Sequence, residues 1–139
     1  MENKIKLIHN LTGAISFMVF LGTGVYMLTK FPTIDTSNEF IKYIYKGSHI
    51  YLLLASLLNM ILGGYFSLNE KKIDKIFQII GSVLIILSTL MLIFAFFHEP
   101  GNLDVGRPIT GPAIVAIFFG VIFHWLSRMG KDSDGKIDQ

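Results

Sequence analysis

Residues 73–97 read I-D-K-I-F-Q-I-I-G-S-V-L-I-I-L-S-T-L-M-L-I-F-A-F-F. Between Lys75 and Glu99 there is no Asp, Glu, Lys or Arg. At about 1.5 Å per residue such a run is long enough, as a helix, to cross a hydrocarbon layer about 30 Å thick. It lacks the strict alternation of a barrel strand, and in lipid its N–H and C=O groups must be satisfied within the segment, so it is read as a transmembrane helix. Working outward, residues 5–29, 48–67 and 112–127 pass the same test, with no formal charge in any apolar middle. The expected fold is an all-α integral membrane protein, a four-transmembrane-helix antiparallel bundle. It forms one domain over residues 1–139, with a polar tail at 130–139.

Composition agrees: 52% of the 139 residues are hydrophobic and 16% charged, which is unusual for a globular domain in water. A net charge of +2, scattered between apolar runs, argues against a nucleic-acid surface. The absence of cysteine excludes disulfides, thiolate metal sites, iron–sulfur clusters and covalently attached haem. Lys4 and Lys6 precede the first run as in a signal peptide. The uncharged stretch from Leu7 to Leu28 is longer than a signal core, which predicts a retained span.

Lys4, Lys6, Lys71, Lys72, Lys75, Arg128, Lys131 and Lys136 fall on the side of the termini, eight in all, against four on the other side: Lys30, Lys42, Lys46 and Arg107. This asymmetry predicts an N-in, C-in chain in a bacterial inner (cytoplasmic) membrane. In the first outer loop, Asp35 to Asn38 can cap an amphipathic stretch through Phe40, Tyr43 and Tyr45 that lies at the interface. The short link at residues 68–72 predicts an antiparallel hairpin of the second and third helices. Pro100-Gly101-Asn102 fits a type II turn, and Thr110 can cap the last helix with Pro112 in its first turn.

Four histidines fall one per helix: His9 and His124 near the side of the termini, His49 and His98 near the opposite side. Two such pairs are what two stacked b-type haems with bis-imidazole ligation would need. Small and polar residues mark the faces along which membrane helices approach each other. His9 shares a face with Thr12, Gly13, Ser16, Phe20, Thr23 and Gly24. His49 shares one with Ser56, Asn59 and Gly63, and His124 one with Ala113, Ala116, Gly120 and Ser127. Gly120, one turn before His124, would leave room for a porphyrin, and Lys6 and Arg128 could meet its propionates. The third helix presents Gln78, Ser82, Ile85, Thr89, Leu92 and Phe96, and His98 lies about 180° from that stripe. The outer pair is therefore the weaker. The plan resembles that of several small membrane cytochromes, but no motif identifies a family, and no residue role is carried over.

His98, Glu99 and Asp104 could hold a divalent cation at the outer surface, with an Asp104–Arg107 contact as the simpler account. Asn59 and Gln78 read as interhelical hydrogen-bonding residues, and Gly63, Gly64 and Gly81 as close-packing points. Spans without carboxylate or lysine argue against an embedded hydrolase, an ion pump or a voltage sensor. The leading expectation is a non-catalytic interaction or accessory subunit, whose partners are the lipid bilayer and a larger membrane complex or a second copy of itself. The alternative is a b-type haem electron-transfer module.

Overall fold

The computed structural model describes residues 1–31, 39–101 and 106–132. Its helices are α1 (Glu2–Lys30), α2 (Glu39–Tyr65), α3 (Lys72–His98) and α4 (Thr110–Asp132), with one 3-10 turn, Glu99–Gly101, after α3. All four helices are long and apolar enough to cross a membrane. Consecutive helices run antiparallel, so the start of α1 and the end of α4 share one end of the bundle with the α2–α3 connection.

The most extensive contacts pair α1 with α2 and α3 with α4. The expected α2–α3 hairpin forms as well, but it is the looser junction. Glycine explains the difference. A Cβ on Gly81 would lie 2.8 Å from the Gly120 carbonyl oxygen, and one on Gly120 would lie 3.0 Å from that of Gly81. A Cβ on Gly13 of α1 would stand 2.8 Å from the Met60 nitrogen of α2. The backbones touch at these points, which is how helices gain contact energy where lipid removes the hydrophobic drive to associate. Leu52, Ala55, Leu92, Phe96, Ala113 and Ile117 form the apolar centre. In their most apolar stretches α3 is 44% buried and α1 only 17%, so α3 is the central helix and α1 the peripheral one.

The interior stripe expected on α3 is buried throughout, with Gly81, Ser88 and Ala95 added to it. Three local expectations are corrected. The amphipathic stretch before residue 48 is the beginning of α2 itself, because Ile44 is buried and the Tyr45 ring packs on Tyr26 and Phe96 at 5.8 and 5.2 Å. Its presumed cap, residues 35–38, lies outside the described residues. Pro100 and Gly101 extend α3 as a 3-10 turn, Asn102 lies outside the described residues, and among the described residues a positive φ falls at Gly106 (72°). Thr110 does not cap α4 with its own hydroxyl, because the Glu99 carboxylate accepts the Ile109 and Thr110 N–H groups at 2.8 and 2.7 Å.

Candidate functional site: the interior histidines

His9 on α1 is fully buried, and its surroundings assign its tautomer. The Asn59 side-chain nitrogen on α2 donates to the Ala55 carbonyl and to Thr89 Oγ1 of α3, both at 2.9 Å, and the Thr89 hydroxyl donates to the Ile85 carbonyl at 2.7 Å. With both amide hydrogens used, Asn59 Oδ1 accepts from His9 Nδ1 at 2.8 Å. The proton is therefore on Nδ1. His9 Nε2 keeps its lone pair and has no partner, alone among the buried side-chain nitrogen and oxygen atoms of the described residues. Metal-bound histidines share this arrangement: one ring nitrogen is held by a hydrogen bond and the other is left to ligate.

His124 on α4 and His9 share a neighbour, so the structure brings the inner pair into one neighbourhood. The Phe66 ring, just past α2, packs against both, with centroids 6.4 Å from His9 and 5.8 Å from His124. Nothing in the sequence marks Phe66 for this place. His124 Nε2 is 3.2 Å from Ser82 Oγ, and its ring lies against Gly81, where a Cβ would come within 2.9 Å of Cδ2. Gly120, expected to leave room for a porphyrin, is instead in contact with Gly81 and Ile85, and Gly13 and Gly63 likewise lie against Met60 and Asn10 of a neighbouring helix. Lys6, expected beside a propionate, pairs with Glu2 at 2.7 Å.

At the opposite end, the Thr23 hydroxyl donates to the Phe20 carbonyl at 2.7 Å and so accepts from His49 Nδ1 at 2.9 Å. The His49 ring stacks on Phe20 at 4.1 Å and turns toward α1. His98 is exposed, stacks on Phe94 at 3.7 Å, and donates from Nδ1 to the Phe94 carbonyl at 3.0 Å. The two outer histidines thus face different surroundings.

Next to His98, Glu99 belongs to a polar cluster that sequence spacing did not reveal. Its carboxylate is 2% exposed and accepts from Thr110 Oγ1 at 2.5 Å and Arg107 Nε at 3.3 Å, besides the two backbone N–H groups. Arg107 also donates to Ser48 Oγ of α2 at 2.5 Å, and its guanidinium lies over the Tyr51 ring at 5.6 Å. Burial alone would raise the Glu99 pKa. The Thr110 hydroxyl and N–H, the Ile109 N–H and Arg107 outweigh it and hold the carboxyl below its ordinary value. A carboxylate over the first N–H groups of α4 also complements the helix dipole. Of the proposed cation ligands, Glu99 is committed to this cluster, His98 faces outward, and Asp104 lies outside the described residues. No group of three or more His, Cys, Asp or Glu that could hold a metal ion occurs among the described residues.

Gln78 donates to the Ser67 carbonyl and accepts from the Asn69 N–H, both at 2.8 Å, which ties the α2–α3 connection to α3. Asn69 Nδ2 reaches the Ser127 carbonyl of α4 at 2.5 Å. Asn59, Gln78 and Asn69 thus join helix to helix or loop to helix, Ser16, Ser56, Ser88 and Ser127 bond within their own helices, and among the buried side-chain atoms of the described residues His9 Nε2 alone is left over. No protein-family model, curated protein or solved structure matches the chain.

Proposed function

We propose that the chain is a non-catalytic accessory subunit that docks, through the outward face of α1, against a helix of a larger membrane complex. Both termini lie on the cytoplasmic side of a bacterial inner membrane, as the Lys and Arg asymmetry argues. The observation that carries the reading is Gly22. It lies on the exposed face of α1, and a Cβ there would meet no atom within 4 Å. A glycine inside a helix costs about 1 kcal/mol relative to alanine, and this one returns no contact inside the chain. A close-approach point for a helix from outside gives it a purpose. Ala14, Ile15, Met18 and Val19, one to two turns earlier, line a shallow apolar depression of about 450 Å³ on the same helix. Enlarging the glycine tests the reading. Gly22→Leu has open space in the folded chain, so it should leave the bundle intact and release it from the complex.

A second reading, that His9 and His124 ligate one b-type haem, is favoured by the unpartnered His9 Nε2. The ligating atom fits. The small-residue faces that would admit the macrocycle are filled by neighbouring helices, so this reading stands second. Bound iron would supply one-electron transfer, with the imidazoles holding it and Asn59 fixing the His9 ring. Purified from haem-replete cells, such a protein should show a Soret band that His9→Ala or His124→Ala removes. A featureless spectrum ends this reading.

A further inference from the structure

At the end that carries the termini, α2 and α4 stand apart and leave a half-open groove of about 460 Å³, within the usual range for a small-ligand site. Ile61, Tyr65 and Trp125 flank it, at 58%, 78% and 60% exposure, so its mouth faces the surroundings of the bundle. Its lining includes the polar residues Ser67, Gln78, His124 and Arg128. Gln78 is committed to the α2–α3 connection. Arg128 is the one formally charged residue lining the groove, no carboxylate lines it, and Arg128 forms no ion pair among the described residues. Lys4, Lys6, Lys71, Lys72 and Lys75 lie at the same end of the bundle, together with Glu2, Glu70 and Asp74.

An apolar trough flanked by Tyr and Trp and lined by a guanidinium with no ion pair among the described residues is complementary to an amphiphile with an apolar chain and an anionic head. We propose that the groove seats one acyl chain of an anionic phospholipid from the surrounding bilayer, with its phosphate on Arg128. The site is independent of the docking face of α1.

Trp125 is the single tryptophan of the chain and lines the groove, so its fluorescence reports occupancy directly. The experiment places the full chain in phosphatidylcholine nanodiscs doped with either brominated-chain phosphatidylglycerol or brominated-chain phosphatidylcholine. Half-maximal quenching should require a roughly fivefold lower mole fraction of the anionic lipid, the preference that one interfacial cation confers. Arg128→Gln should abolish this preference, Arg128→Lys should retain it, and Val121→Phe, which narrows the groove, should weaken quenching by both lipids. Equal quenching by the two lipids at equal mole fraction overturns the proposal. So does a preference that survives Arg128→Gln, since that would belong to the basic end as a whole.

Discussion

Replacing Glu99 by Gln should destabilise the bundle by about 2–4 kcal/mol, read as an earlier transition when the detergent-solubilised protein is titrated with SDS. The carboxylate is nearly inaccessible and accepts from Thr110, Ile109 and Arg107, and an amide of the same shape turns one acceptor into a donor facing donors. The effect stays below the full cost of breaking a deeply buried pair because the Arg107 side chain keeps 28% exposure and can be rehydrated. The pH dependence has a defined sign. The folded-state pKa of Glu99 lies below its ordinary value. Its contribution is therefore fully present above about pH 4.3, the unfolded value, and is lost as pH falls through the folded pKa. The wild-type transition should shift toward that of Glu99→Gln in this acidic window, and the variant should lack this component. An unchanged transition in Glu99→Gln would mean that the connection between α3 and α4 does not depend on this cluster.

Asn59→Leu should have the next largest effect, about 2–3 kcal/mol in the same titration. Leucine keeps the branching, though it is larger, and removes the acceptor for His9 Nδ1–H and the donor to Thr89, leaving a fully buried imidazole with neither nitrogen paired. Membrane hydrogen bonds average well below 1 kcal/mol when a partner can turn elsewhere, so the prediction rests on the inability of His9 to do so. His9→Phe alone should also destabilise, because Asn59 Oδ1 then loses its donor. The double variant, with both polar groups gone, should cost clearly less than the sum of the two. Strict additivity would show that the two side chains do not act as a pair.

How much was legible in advance follows from which physical rules act locally. A charge-free run of lipid-crossing length needs no tertiary information, so all four helices could be read, as could the interior stripe from Gln78 to Phe96, which depends only on the helical repeat. The outward placement of His98 came from the same angular count. The first nine residues of α2 were misread because Lys42, Lys46 and Gly47 resemble a loop at an interface. They belong to the helix because its inner face carries Ile44 and Ser48 while the charges turn outward. Contacts between distant positions left no local trace. His9 and Asn59 are 50 residues apart, and Glu99 meets Thr110 11 residues on, across the connection between α3 and α4. Gly63, Gly64 and Gly81 were recognised as close-packing positions and Gly120 as a cofactor-admitting one, and Gly64 instead faces open space. Only the assembled helices decide between these, and Gly81 and Gly120 are spent on each other.

The proposed docking role of α1 is tested most directly by the native size of the chain in gently solubilised membranes of its own cells. Wild-type protein and Gly22→Leu would be compared on a non-denaturing gel, with circular dichroism of each purified chain to verify that the bundle is folded. A 15.6 kDa subunit of a larger complex should migrate far above the position of its own micelle-bound monomer, and the leucine variant should fall to that position while remaining helical. A wild-type chain that already migrates as the monomer, or a variant that stays in the high-mass band, would contradict the assignment.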